Sequence, residues 1–249
     1  MDENTPILLS STDFEQYASS WVQLINQGDQ AADALRQCFT TPEALRLTYL
    51  SLPADWVRSL LSTVGCVQVR VRLLLNADKQ FNLAFYATDA QNSRVSAYYL
   101  LNLEISKFGN MMASLYGSKT APAGDTAISS GGDGSGSVQI PHGMAGDWIR
   151  NWQAADKLTP DLFGTSYGFL QGYNFKRGDL LENLFNVVPQ EQQQLRVYFG
   201  LHKYYANSDT VSTPQPTCTF GLVLRLVNPD ATTSAAPFYD MSTPVPPGY

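Results

Sequence analysis

Apolar and other residues alternate along two stretches of this chain, Val69-Arg70-Val71-Arg72-Leu73 and Leu195-Arg196-Val197-Tyr198-Phe199. A period of two marks a strand that turns one face to a core. Each stretch is followed by a second run of the same kind, carrying Phe81, Leu83 and Phe85 in one case and Phe220, Leu222 and Leu224 in the other. The pattern predicts strands at about Cys66–Leu75, Phe81–Thr88 and Val95–Leu103, joined by the turn-prone Asn76-Ala77-Asp78 and Asp89–Asn92. Later it predicts strands at about Gln194–Tyr204 and Thr217–Val227, with a shorter one near Phe238.

Helical spacing precedes each set. Thr12 with Glu15 reads as a capping box opening a helix through about Gln27, a second helical stretch runs from Gln30 to Cys38, and Thr41-Pro42-Glu43 begins another turn of helix. Pro53 and Asp55 open a helix whose Trp56, Val57, Leu60 and Leu61 form one apolar stripe ending at Gly65. The later counterparts are a helix from about Met144 to Ala155, a turn at Thr159-Pro160-Asp161 and a helix from Arg177 to Phe185. Between them, Ser118 to Ser137 is a run of small residues that buries almost nothing and reads as a linker.

The segments on either side of this linker match faintly. Trp21 pairs with Trp152, Tyr17 with Trp148, Leu9 with Ile140, Tyr49 with Tyr173 at an offset of 124, and Arg70 with Arg196. The expected fold is therefore α+β, with two similar lobes, each made of helices followed by an antiparallel β-meander. The boundaries are 1–117 for the first lobe, 118–137 for the linker, 138–243 for the second lobe and 244–249 for a proline-rich tail. The hairpin connection ANSDTVSTPQP is longer than usual, and PVPPGY is expected to stay out of any sheet ladder because proline lacks the donor.

Composition narrows the function classes. The 249 residues are 15% charged and 12% aromatic with a formal net charge of −6, which disfavours sequence-general binding to nucleic acid or to an anionic membrane and leaves room only for a local basic site. The start MDENTP has no basic n-region and no run of about 18 apolar residues occurs, so neither a secretory signal nor a membrane span is expected. Cys38, Cys66 and Cys218 are odd in number and set among apolar neighbours, as free thiols in a reducing, cytoplasmic compartment would be.

The later segment carries an aromatic helix, the helix start Gly178-Asp179-Leu180-Leu181, the strands Leu195–Gly200 and Phe220–Leu226, and a proline-rich end. In these it resembles a family of small bacterial hypothetical proteins with an "iRiYyG" strand, an "lvlVgv" strand and a "PCPP" tail. Here the tail reads PVPP without the cysteine. The resemblance implies a tandem version of a usually single module and brings no activity with it.

Candidate chemistry is sparse. His142 and His202 stand at no metal-ligand spacing, His142 reading as a helix-entrance group and His202 as a polar group at a strand end, matched by Asn76 in the first segment. No nucleophile elbow at a strand-to-helix turn is expected. The Gly131–Gly136 stretch GGDGSG lacks the Lys-Ser/Thr pair of a phosphate loop and the aspartate of a calcium nonapeptide. Asp55 and Asp179 suit the first turns of their helices. Arg70 and Arg196, embedded in apolar strands, either face solvent or reach a carboxylate of the other lobe, and a solvent or interface role is favoured over ligand binding.

A surface poor in charge and rich in aromatics resembles what protein interfaces select. The expectation is a non-enzymatic structural or interaction protein that self-associates into an oligomer or lattice, with Arg70, Arg196, Tyr204, Tyr205 and Tyr249 at its interface and no cofactor or metal. A carbohydrate or other small-ligand binding module is the alternative, with a hydrolase lacking any recognisable motif behind it.

Overall fold

The computed structural model describes residues 7–102, 139–185, 193–205, 216–228, 236–240 and 242–245. The expected linker at 118–137, the hairpin connection 206–215, the Gly131–Gly136 stretch and Tyr249 lie outside the described residues. The fold is α+β with antiparallel sheets. The first segment runs β1 (Leu8–Leu9), α1 (Ser11–Ile25), a 3-10 turn (Gly28–Ala31), α2 (Ala32–Cys38), β2 (Tyr49–Pro53), α3 (Ala54–Leu61), β3 (Gln68–Leu75), β4 (Phe81–Thr88) and β5 (Tyr98–Leu100). The later one runs β6 (Gln139–Ile140), α4 (His142–Gln153), a 3-10 turn (Pro160–Phe163), β7 (Gly164–Thr165), β8 (Gly168–Phe169), β9 (Gly172–Lys176) and α5 (Arg177–Leu184). It ends with β10 (Gln194–Tyr205), β11 (Pro216–Val227), β12 (Phe238–Tyr239) and β13 (Thr243–Val245).

Several local expectations are corrected. The cap of α1 is Ser10, whose side chain accepts from the Asp13 N–H, so the capping box lies two residues earlier than Thr12 and Glu15. Thr41-Pro42-Glu43 forms a turn closed by Ala44 N–H donating to the Thr41 carbonyl, and Ala44 takes φ of 61°, which ends any helix there. His202 sits inside β10, not at a strand end. Pro244 does join a ladder: β13 is an edge strand, so its proline faces β9 with one side only and the missing donor is tolerated.

β2 and β9, neither of which the alternation predicts, decide the architecture. One sheet has the order β1-β5-β4-β3-β9-β13 and the other β2-β10-β11-β12-β6. Each sheet is thus extended past its meander by a strand from the other segment, β9 on β3 and β2 on β10. Arg70 stands opposite Asn174 and Arg196 opposite Ser51, so with the arginines matched the exchanged strands correspond at an offset of 123. The expected match of Tyr49 with Tyr173 is one residue out. A one-residue slip puts side chains on opposite faces, and Tyr173 packs in the main core whereas Tyr49 packs with Ile149 and Tyr198.

Val69, Val71 and Leu73 of β3 join Val197, Phe199 and Leu201 of β10 in that main core, together with Phe39, Phe81, Phe163 and Phe220. Trp21 of α1 and Trp152 of α4 are fully buried within it. Their indole N–H groups donate to backbone carbonyls of the opposite segment, Trp21 to Leu170 at 2.9 Å and Trp152 to Leu47 at 2.8 Å. α1 also lies over the other face of β3, and α4 over the other face of β10. Among the described residues, no helix is long and apolar enough to cross a membrane.

Candidate anion-binding cleft

The alternation that sends Val69, Val71 and Leu73 into the core sends Arg70 and Arg72 to the opposite face of β3, under α1. There they line a cleft of about 290 Å³ with Phe14, Glu15 and Ala18 of α1, Tyr86 of β4, Asn92, Arg94 and Tyr98. Tyr86 is the cross-strand partner of Arg70. The connection from β4 to β5 brings in the remaining polar groups. Asp89 accepts from the N–H groups of Gln91 and Ser93, which tightens the turn, and Asn92 takes φ of 65°. Asn92 Oδ1 thereby accepts from Arg70 Nη2 at 2.7 Å.

Each guanidinium is held by neutral acceptors. Arg72 Nη2 donates to Gln171 Oε1 in the loop before β9. Arg94 donates to the Ser96 carbonyl at 2.8 Å and to Ser11 Oγ at 3.4 Å, and its guanidinium lies 4.4 Å from the Tyr98 ring centre. Phe14 stacks on Tyr98 at 3.7 Å, and Tyr86 meets both rings edge-on. Among the described residues the ion pairs are Asp55 with Arg58 and Asp147 with Arg150, both outside the cleft. Arg70 Nε is shielded from solvent and has no hydrogen-bond partner among the described residues.

Electrostatics follow from this enclosure. Burial holds the Arg72 guanidinium below its usual value, with Tyr86 and Glu15 opposing that effect and Arg70 adding to it. Burial likewise pushes the Tyr98 hydroxyl up, against the pull of Arg94. The lining contains no histidine, cysteine or serine. It offers convergent donors and positive charge beside an aromatic wall.

The corresponding place in the other sheet is filled. Arg196 stands opposite Arg225 in β11, and Arg225 is fully buried, donating through Nε to the Ala236 carbonyl at 3.0 Å, with its guanidinium 4.3 Å from the Phe238 ring centre. Arg196 lies 4.9 Å over the Tyr49 ring. There the protein's own Tyr49 and Phe238 rings lie against the guanidiniums.

The residues expected at an interface are thus scattered. Arg70 lines the cleft, Arg196 packs on Tyr49, and Tyr204 and Tyr205 are exposed near the end of β10, at 48% and 68%. Thr219 Oγ1 donates to the Tyr204 hydroxyl oxygen at 3.2 Å. His142 is exposed at the start of α4, edge-on to Phe238. His202 is half-buried and stacked on Trp148, burial lowering its pKa against the opposing charge of Asp240. Asp55 pairs with Arg58 inside α3, and Asp179 lies in the first turn of α5. The cysteines are free thiols, with Cys38 buried.

Arg72, Tyr86, Asn92 and Arg94 were not singled out from the sequence. Arg72 had a signal, since period two places it beside Arg70. Arg94 had none, because its approach depends on the path of a loop. Comparison of the chain with family models, curated proteins and solved structures finds no match.

Proposed function

We propose that this protein acts by binding rather than by chemistry, and that the arginine cleft is where it holds a small anionic ligand. One observation carries the reading: three guanidiniums converge on one cleft, and the acceptors they find among the described residues are all neutral. An anion there would gain charge-assisted hydrogen bonds, which are stronger than those the guanidiniums make to neutral groups. The chain's overall acidity does not oppose this, because the site is local and walled by low-dielectric side chains. Calorimetric titration with small carboxylates and phosphates tests it. Replacing Arg72 with Met is expected to weaken binding by about tenfold to a hundredfold. Unchanged affinity in that variant, with its fold intact by circular dichroism, would remove the cleft from consideration.

Self-association is the second reading, favoured by the exposure of Tyr204 and Tyr205 near one end of the β10–β11 hairpin. Tyrosines there give apolar area with a polar handle at low entropic cost. Sedimentation of the wild type against a Tyr204→Ser, Tyr205→Ser variant separates the two readings: assembly lost in the variant supports an interface, and a monomer throughout rejects it.

A further inference from the structure

Resting on that reading, we infer that the anion is a phosphate monoester, a dianionic head on a small organic group, rather than a carboxylate. Charge is the first argument. Three guanidiniums against the single carboxylate of Glu15 leave the lining formally about +2, which a dianion balances and a monoanion does not.

Donor geometry is the second. A planar carboxylate is satisfied by one guanidinium in a bidentate fork, whereas a phosphate head presents three strong acceptor oxygens in three directions. Arg70 and Arg72 rise from β3, and Arg94 reaches in from the connection beyond β4, so donors arrive from separate elements. Of the five N–H donors that each guanidinium owns, contacts among the described residues engage one on Arg70, one on Arg72 and two on Arg94. The others, the shielded Arg70 Nε among them, are not engaged by the described residues.

Size is the third. The cleft of 290 Å³ holds the volume of ~10 waters, more than a bare phosphate fills, and lies at the lower end of the roughly 300–1,000 Å³ typical of small-molecule sites. Phe14 and Tyr98 supply an apolar wall for the remainder.

The test is calorimetric titration of the full chain with phenyl phosphate, inorganic phosphate and benzoate between about pH 5 and about pH 7.5, across the second phosphate ionisation near 6. The lining's own titratable and charged groups, Glu15, Tyr86, Tyr98 and the arginines, are common to all three titrations, so the benzoate series controls for them. Phenyl phosphate is expected to bind at least about tenfold tighter than benzoate, tightening as pH rises while benzoate stays flat. It is also expected to outbind inorganic phosphate. Arg94→Gln, at an exposed position, and Arg72→Met should each erase the pH-dependent preference. Benzoate binding as tightly as phenyl phosphate, or phenyl phosphate affinity flat with pH, would overturn the phosphate assignment while leaving an anion site standing. Inorganic phosphate matching phenyl phosphate would overturn the ester. No binding of any of the three would overturn the anion reading itself.

Discussion

An imidazole in the middle of a strand needs room, and Gly221 leaves it: a Cβ added there would lie 2.4 Å from His202 Nε2. The ring is sandwiched between that glycine and Trp148, whose ring centre is 3.8 Å away, and its Nε2 is shielded without a hydrogen-bond partner among the described residues. Burial therefore lowers the His202 pKa below the usual 6.5, with Asp240 opposing. For a base whose folded value is depressed, the unfolded chain binds more protons in the window between the two values. Stability is then full above 6.5 and declines as pH falls through the folded value. Asp240 works in the opposite sense. Burial raises it above 3.8, so its contribution is greatest below 3.8 and is lost as pH rises through its folded value. Replacing His202 with Asn, the residue at the matching position 76, is expected to flatten the loss of stability between about pH 7 and about pH 5, followed by urea unfolding at each pH. An unchanged slope would mean that His202 is not the group responsible.

At the scale of elements, β9 links the fold to the cleft. Gly172 stands opposite Arg72, and a Cβ there would lie 2.1 Å from the Val71 carbonyl oxygen, which belongs to the backbone and has no rotamer to yield. Gly172→Ala is expected to cost about 3 kcal/mol or more by urea unfolding. It should also loosen Arg72, because the neighbouring Gln171 holds that guanidinium. Strands β3 and β10 were legible in the sequence because alternate residues enter the core, and β4 and β11 because they are apolar runs buried on both faces; Arg70 with Arg72 shared a face through the alternation of β3. β2 and β9 were not legible. They are five residues each, too short for the alternation to stand out, and their partners lie far away in sequence. β13 was missed because Pro244 reads as a breaker until its edge position is known.

In the whole molecule, the exchange of β2 and β9 and the crossed indole bonds of Trp21 and Trp152 bind the segments through two sheets and one core. A protease site placed within 118–137 and cut after folding is expected to leave both pieces in one peak on size exclusion. They should part only in denaturant, and each alone should unfold without a cooperative transition, since each lacks a strand beside its meander. Two separate peaks in native buffer would contradict that. The exchange also has a cost at birth. When β3 leaves the ribosome its pairing strand is roughly 100 residues from being made, and at 5–20 residues per second the wait is on the order of 5–20 s. Through that interval one side of β3 has backbone groups without their final partner, open to a neighbouring nascent chain. The same topology that joins the finished protein therefore makes its synthesis sensitive to crowding on the polysome and to the chaperones that meet it there.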